Sequence, residues 1–182
     1  MLRDLVLKNR SYRRFHQERI QIETLRELVD LARQSASGSN LQPLKYILSC
    51  DPDKNAVIAP LIGLGGNPPQ EERPTAYIII LGDKTIRETF GCDHGIAAQS
   101  ILLGAAEKGL GGCIVGNVKR EELRKALVIP ANLEILLALA LGKPKETAVI
   151  DVVGDDGSVK AYWDPQGVRR VPKRSLNDII IG

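Results

Sequence analysis

Residues 75–81 (TAYIIIL) form a nearly continuous apolar run, and this run constrains the fold more than any other segment of the chain. A strand with one face in water alternates apolar and polar side chains. This segment does not alternate, so it predicts a β-strand that is buried on both faces. Residues 134–141 (EILLALAL) repeat the pattern and predict a second buried strand. Both segments therefore belong to the interior of a sheet.

Two segments are predicted as long helices. In residues 24–35, apolar side chains recur at i, i+3, i+4 and i+7, which places them on one helix face. Thr24 with Glu27 predicts a capping box at the start of that helix. Residues 91–108 are apolar nearly all round and rich in glycine and alanine. A helix of that kind is buried, so we expect it to be the central helix of the fold and part of a dimer interface.

The remaining predicted elements are shorter. We expect helices at residues 1–8, 56–64 and 119–127, and strands at 46–48, 148–153 and 159–163. A further short strand is expected within 109–116, and a final helix or extended arm at 176–181 that packs on a second subunit. The strands at 148–153 and 159–163 are expected to form a hairpin that turns at 154–157. The glycines at 63–66 do not match G-x-G-x-x-G, so they give little support to a Rossmann-type dinucleotide site.

A polar loop joins the first long helix to the strand that follows it. Residues 35–43 combine short hydroxyl and amide side chains with Gly38, which permits a positive φ, and with Pro43, which stops a helix. The amides of Asn40 and Gln42 can pair with another amide or with the N–C=O edge of a ring. Two interpretations are open: a polar connector, or a binding loop for a flat heterocycle.

Basic residues cluster near both ends of the chain. Residues 10–15 read RSYRRF, and residues 168–176 read VRRVPKRSL. Arginine forms bidentate, charge-assisted hydrogen bonds to phosphate, so both clusters are candidate phosphate sites. The alternative for each cluster is a solvated basic surface.

Composition narrows the class of protein. The 182 residues suit a single domain, residues 1–182, with a sizeable core. The net charge of +3 is too small to indicate a nucleic-acid-binding protein. The three cysteines show no C-x-x-C spacing and the two histidines no H-x₃-H spacing. We therefore expect neither a disulfide framework nor a zinc site, and a reducing, cytoplasmic setting fits.

Targeting segments and catalytic motifs are not expected either. Arg3, Asp4 and Lys8 interrupt the first residues, which lack the apolar core of a signal peptide. No apolar run approaches the roughly 20 residues of a membrane-spanning helix. The sequence contains no recognisable Ser-His-Asp arrangement, Walker motif or paired-carboxylate motif. We therefore name no catalytic residue and no metal ligand.

Three blocks of the sequence, taken in order, resemble the FMN-dependent nitroreductase family. The first combines RSYRRF at 10–15 with residues 35–46, which contain SGSNLQP. The second is residues 93–116, which begin DxGIAAQSxLLxAAxxGLG, and the third is residues 172–180 (PKRSLNDII). The resemblance covers about the whole chain. It implies an α+β fold with a central, mainly antiparallel sheet flanked by helices. It also implies an intertwined homodimer that holds FMN at its interface.

On this resemblance, each polar part of FMN has candidate partners. The phosphate would bind Arg10 and one or more of Arg13, Lys173 and Arg174, of which the last two form a basic pair near the C-terminus. Arg13 would lie at the N1–O2 edge of the flavin, where a cation stabilises the charge of the reduced ring. Other residues supply ring-edge amides, hydroxyls for the phosphate or ribityl chain, and backbone groups for the ring. The full set of expected FMN-binding residues is Arg10, Ser11, Arg13, Ser37, Ser39, Asn40, Gln42, Ile114, Gly116, Lys173 and Arg174.

The implied activity is a ping-pong cycle. NADH or NADPH reduces FMN and leaves, and a nitroaromatic, a quinone or a related acceptor takes the same place. The alternatives are a specialised member of the scaffold (a dehalogenase, an ene reductase or a flavin-fragmenting enzyme), a non-catalytic flavin-binding module, and a basic adaptor without a cofactor. Asn9 and Leu44 depart from the arginine and aromatic residue that the family often has there. The short stretch at 50–74 implies a more open flavin face.

Overall fold

The computed structural model describes residues 1–182, with six α-helices and eight strands. The helices are α1 (Leu2–Lys8), α2 (Ile22–Gln34), α3 (Pro52–Ile58), α4 (Asp93–Glu107), α5 (Arg120–Ala126) and α6 (Leu176–Ile179). The strands are β1 (Phe15–His16), β2 (Leu44–Ser49), β3 (Ala76–Asp83), β4 (Gly111–Val115), β5 (Leu133–Pro144), β6 (Thr147–Val152), β7 (Tyr162–Trp163) and β8 (Val168–Lys173). None of the helices has both the length and the apolar character that a membrane crossing requires.

The central sheet contains five strands, and every pairing in it is antiparallel. Strand β5 pairs along one edge with β3 and along the other with β4 and β1, and β2 pairs with the outer edge of β3. All eight residues of β3 are buried. The predicted antiparallel sheet, with interior strands at 75–81 and 134–141, is confirmed.

Helices cover both faces of this sheet. Successive β3 side chains point to opposite faces. Ile78 and Ile80 therefore lie in the core cluster formed with α2 and α4. Ile79 lies in the cluster on the other face, together with Ile58 of α3 and Leu123 of α5. The predicted buried helix is confirmed as α4, whereas its part in a dimer interface stays a prediction.

Helix α2 begins at Ile22, so the predicted capping box at Thr24 is wrong. The N-cap is Gln21, and its side chain makes no capping hydrogen bond. Ile20 and Leu25 occupy the two positions of a hydrophobic staple and are buried in the same core cluster. The burial of Ile20 thus directs the chain into the helix earlier than the Thr24 signal predicts.

Helix α3 begins at Pro52, ahead of the predicted helix at 56–64, and ends at Ile58. The Asp51 carboxylate caps it by accepting a hydrogen bond from the Lys54 amide at 2.9 Å. Proline suits the first helical turn because the amide it lacks has no partner within the helix. The Asp-Pro pair is therefore the true start signal of this helix.

The predicted hairpin between 148–153 and 159–163 is wrong. A turn does form, with the Gly157 amide donating to the Gly154 carbonyl at 2.9 Å. However, β8 lies between β6 and β7, parallel to the first and antiparallel to the second. The C-terminal basic cluster is thus the middle strand of a second, three-stranded sheet.

The residues after β8 carry apolar side chains that are exposed in the single chain. Ser175 caps the short helix α6. Leu176 is 69% exposed, Ile179 is 59% exposed and Ile181 is fully exposed. The final helix is confirmed, and the packing of this arm on a second subunit stays a prediction.

Candidate functional site

The segment after α1 is fixed against strand β4. Ser11 forms a parallel bridge with Gly112, and the Tyr12 amide donates to the Gly112 carbonyl at 3.0 Å. The Tyr12 hydroxyl donates to the Lys8 carbonyl at 2.9 Å, which ties the segment back to α1. These bonds hold Arg10 and Arg13 near Ile114 of β4, and the three residues line one cavity.

A basic cavity of about 350 Å³ opens at this point. It brings together five of the expected FMN-binding residues, namely Arg10, Ser11, Arg13, Ile114 and Lys173. The lining residues include four cations, from Arg10, Arg13, Arg169 and Lys173, and no carboxylate. A cation cluster without internal counter-charges is suited to a phosphate dianion.

Arg10 has an unused hydrogen-bond donor in this cavity wall. Its Nη2 donates to the Val6 carbonyl, but its buried Nε has no partner. Burial lowers the pKa of Arg10, and Tyr12 opposes that shift. A buried guanidinium donor without a partner is costly in the free protein, so this atom fits a site that receives an anionic group such as the FMN phosphate.

Arg169 belongs to the cavity although it was not among the expected site residues. Its Nη1 donates to the Ser11 carbonyl at 3.1 Å, and Arg13 Nη1 donates to the same oxygen at 3.3 Å. Strand alternation explains its position, because residues 169, 171 and 173 of β8 line the cavity. Arg174 lies outside the cavity and has an exposed side chain. Period-two alternation within the basic cluster is the signal that could have identified Arg169.

The predicted ring-edge loop adopts an unusual backbone. Ser39, Asn40 and Gln42 have φ values of 52°, 55° and 50°, in the left-handed region that favours glycine. Gly38 does not adopt a positive φ, which corrects the expectation. A Cβ at Gly38 would come within 2.6 Å of Arg87 Nη1. That atom is the far end of a flexible side chain, so neither the backbone conformation nor the packing requires glycine at this position.

Asp93, at the start of α4, holds the loop in place. It is only 3% exposed, and it accepts hydrogen bonds from Ser37 Oγ at 2.6 Å and from the Gly38 amide at 3.0 Å. Ser37 Oγ in turn accepts from the Gln42 amide at 3.0 Å. Burial would raise the pKa of Asp93, but these hydrogen bonds and the charges of Arg87 and His94 outweigh it, so the net shift is downward. Its position in the sequence gives no local sign of this role.

The two groups of expected residues do not meet within one chain. Ser37 and Gln42 line a separate cavity of about 160 Å³ next to Asp93. The basic cavity instead touches α4 at Gln99 and Leu102, which lie roughly 9–14 Å beyond Asp93 along the helix axis. Four other expected residues are exposed and line neither cavity, namely Ser39, Asn40, Gly116 and Arg174.

Replacing Asp93 with asparagine is expected to lower the free energy of unfolding by about 1.5–3 kcal/mol at pH 7, since hydrogen bonds to a charged group contribute about that much. The pKa of Asp93 is lowered on folding. Its stabilisation is therefore present above the unfolded-state pKa and is lost as the pH falls through the folded-state pKa. In urea unfolding, the gap between wild type and variant should shrink below about pH 4.

The matched control is Asp53→Asn, at an exposed carboxylate in the first turn of α3. It should change the free energy of unfolding little at any pH. A gap for Asp93→Asn that is absent at pH 7, or that stays constant down to pH 2, would contradict the proposed role of the carboxylate.

The chain resembles known proteins in both sequence and fold. The Nitroreductase family model matches residues 6–72 and 73–143. The chain is 25% identical over 164 residues to the FMN reductase (NADPH) of Bacillus subtilis (strain 168), covering 78% of this chain and 65% of that protein. It is 24% identical over 160 residues to the NADPH-flavin oxidoreductase of Vibrio harveyi, covering 79% and 65%. The chain thus spans just under two thirds of the length of these relatives.

A solved structure agrees in fold. The nitroreductase family protein from Streptococcus pneumoniae TIGR4 superposes with a TM-score of 0.70 at 15% identity, covering 81% of this chain and 92% of that one. The third block of the resemblance, residues 172–180, lies beyond the matched residues and stays a prediction. The family match covers most of the chain, including the Arg10 segment, the polar loop and α4, and on that basis the chain belongs to the nitroreductase family.

Proposed function

We propose that this protein is an FMN-dependent oxidoreductase that takes hydride from NADH or NADPH and passes it, by a ping-pong mechanism, to a nitroaromatic, a quinone or a related acceptor. The observation that carries the proposal is the cavity with four cations, no carboxylate and an unpartnered Arg10 Nε. The names of the flavin-linked relatives support the same cofactor and donor class.

The residues of the cavity fit the parts of FMN. Arg10, Arg169 and Lys173 would hold the phosphate through charge-assisted hydrogen bonds. Arg13, whose Nε donates to the Leu64 carbonyl at 2.9 Å, would place its positive charge at the N1–O2 edge of the ring. Ile114 is 41% exposed and would offer an apolar contact and backbone groups. The hydride chemistry itself is supplied by FMN when it is bound.

We propose that a homodimer completes this site. In one chain, the loop with Asn40 and Gln42 lies apart from the basic cavity, and its amides are exposed. The exposed isoleucines after β8 give the chain apolar surface that a second subunit could cover. The ring-edge amides of one subunit would then face the phosphate-binding residues of the other.

Mixed dimers test this composite site. Arg10→Ala and Asn40→Ala each damage both sites of their own homodimer. In a mixed dimer, if the site is shared, one site carries both changes and the other carries neither. The mixed dimer is therefore expected to bind about one FMN per dimer with wild-type affinity, measured by flavin fluorescence titration. Weak binding at both sites of the mixed dimer would show that Arg10 and Asn40 act within one chain.

Two wider expectations accompany this function. The three cysteines are free in the structure, which fits a reducing compartment, and we propose the cytoplasm. We also propose that residues 1–182 act as one domain.

The deciding experiment is a visible absorbance spectrum of the purified protein, followed by anaerobic addition of NADH or NADPH and then of a quinone. A flavin spectrum that bleaches with the nicotinamide and recovers with the quinone is the expected result. A protein that binds FMN but shows no reduction would indicate a non-catalytic flavin module. A colourless protein that takes up no added FMN would overturn the proposal.

A further inference from the structure

A second and larger cleft, of about 770 Å³, lies beside the basic cavity. The two share Arg13, Ala161 and Arg169 as lining residues. The walls of the cleft come from the glycine loop at 65–66, from residues 145–147 and from the second sheet. Its volume falls within the roughly 300–1,000 Å³ typical of small-molecule sites. A ligand that enters the basic cavity can therefore extend into this cleft without leaving the protein surface.

The cleft carries more positive than negative charge. Four cations line it, from Arg13, Arg14, Lys145 and Arg169, against two carboxylates. One of the carboxylates, Glu72, forms salt bridges with Arg14 at 2.6 Å and with Lys145 at 2.9 Å. The Glu72 side chain is 13% exposed, whereas those of Arg14 and Lys145 are 43% and 44% exposed. The surface that a ligand meets is thus predominantly cationic.

The second carboxylate, Glu146, is also already paired. It accepts hydrogen bonds from the backbone amides of Arg13 and Arg14, the second at 3.3 Å. Both acids thus have hydrogen-bond partners, and the four cations outnumber them, which leaves the lining with a formal charge of +2. Phosphate groups are the anions that such arginine and lysine side chains bind well.

An exposed aromatic ring faces the same cleft. Trp163 is the only tryptophan of the chain, it lines the cleft and it is 52% exposed. It pairs with Arg169 across β7 and β8, so the two side chains lie on the same face of the second sheet. The neighbouring Tyr162 points to the opposite face, where its hydroxyl donates to Asp151 at 2.7 Å. An exposed indole next to cations offers a stacking surface for a planar base.

We propose that this cleft binds the adenosine phosphate half of NADH or NADPH, with the adenine stacked on Trp163 and its phosphates beside Arg14 and Lys145. The inference rests on the proposed function. The nicotinamide half would reach the flavin cavity past Arg13 and Arg169, which both cavities share. Nitroaromatic and quinone acceptors lack the combination of a second ring and phosphates, so the donor matches this chemistry better than the acceptor does.

Truncation of the donor isolates this contact. Reduced nicotinamide mononucleotide delivers the same hydride but has no adenosine phosphate half. In the FMN-loaded enzyme with a quinone acceptor, Trp163→Ala is expected to raise KM for NADH or NADPH at least about fivefold, the lower end of what base stacking contributes. It should leave KM for reduced nicotinamide mononucleotide unchanged. Trp163→Phe, which keeps a stacking ring, should restore most of the loss.

A binding measurement provides a readout without turnover. Because Trp163 is the only tryptophan, its fluorescence in the FMN-loaded protein should be quenched saturably by AMP and by adenosine 2′,5′-bisphosphate. Nicotinamide mononucleotide should quench it far less. Tyr162→Ala, on the opposite face of the same strand, is the matched control and should leave both KM values and the quenching unchanged.

The outcomes separate the two proposals. Turnover with all donors, combined with no effect of Trp163→Ala and no saturable quenching, would overturn the adenosine site and leave the oxidoreductase function intact. An equal rise of KM for full-length and truncated donors would also overturn it, because the change would then act on the flavin cavity. Absence of turnover with every donor would overturn the proposed function and this inference with it.

Discussion

Arg10→Ala is expected to weaken FMN binding by roughly 10- to 150-fold, the loss that corresponds to about 1.5–3 kcal/mol for a hydrogen bond to a charged group. The expectation follows from the position of Arg10 in a cavity with four cations and no carboxylate, and from the buried Nε that has no partner in the free chain. Fluorescence titration of the FMN-free protein with FMN measures the change directly.

Arg26→Ala is the control for Arg10→Ala. Arg26 lies on the exposed side of α2 and lines neither the basic cavity nor the larger cleft. Its removal changes the net charge by the same amount, so any general electrostatic effect appears in both variants. The same comparison ranks the C-terminal cations: Arg169→Ala and Lys173→Ala should weaken FMN binding more than Arg174→Ala, whose side chain lies outside the cavity. Equal affinities for wild type and Arg10→Ala would remove the phosphate assignment.

Gly112→Ala is expected to destabilise the fold by about 3 kcal/mol, the upper end of the usual cost of overpacking. A Cβ at this position would come within 2.6 Å of the Ala140 carbonyl oxygen in β5, and within 2.8 Å of a Leu102 methyl in α4. The nearest of these atoms belongs to the backbone and cannot rotate away. For a chain of this size the melting temperature should fall by roughly 6–12 °C, which calorimetry or thermal circular dichroism measures.

The matched control for this effect is Gly116→Ala, just beyond the end of β4. A Cβ there meets no atom within 4 Å, and the backbone is not in the left-handed region. Its melting temperature should stay close to that of the wild type. Gly112→Ala should also weaken FMN binding, because Gly112 carries the bridge to Ser11 and accepts from the Tyr12 amide. A Gly112→Ala protein that melts at the wild-type temperature would show that β4 can move aside without cost.

Much of the architecture follows from local sequence patterns. Residues 75–81 and 134–141 were identifiable as interior strands because apolar side chains occupy both of their faces, and burial does not depend on which strand pairs with which. The apolar helix at 91–108 was identifiable for the same reason. The Arg10 block and the polar loop were recognisable as candidate binding segments from residue chemistry and family resemblance. Their roles toward FMN remain predictions.

The sequence predictions fail where a strand's position depends on a partner that is distant in the chain. The sequence patterns place β6 and β7 nearly correctly, but the predicted pairing is wrong because β8 lies between them. Nothing within 148–163 carries information about a strand at 168–173. The same pairing decides that Arg169 and Lys173 enter the basic cavity and that Arg174 does not.

Local sequence patterns predicted the two interior strands, the buried helix α4, and the segments whose cations and amides suit a flavin. These are short-range properties, set by the spacing of apolar side chains and by the chemistry of each residue. Three features emerged only from the folded chain: Asp93 holds the polar loop, this loop lies apart from the basic cavity, and Trp163 faces a cationic cleft. Those features depend on contacts between residues far apart in the chain, and a local pattern cannot specify which distant surface it will meet.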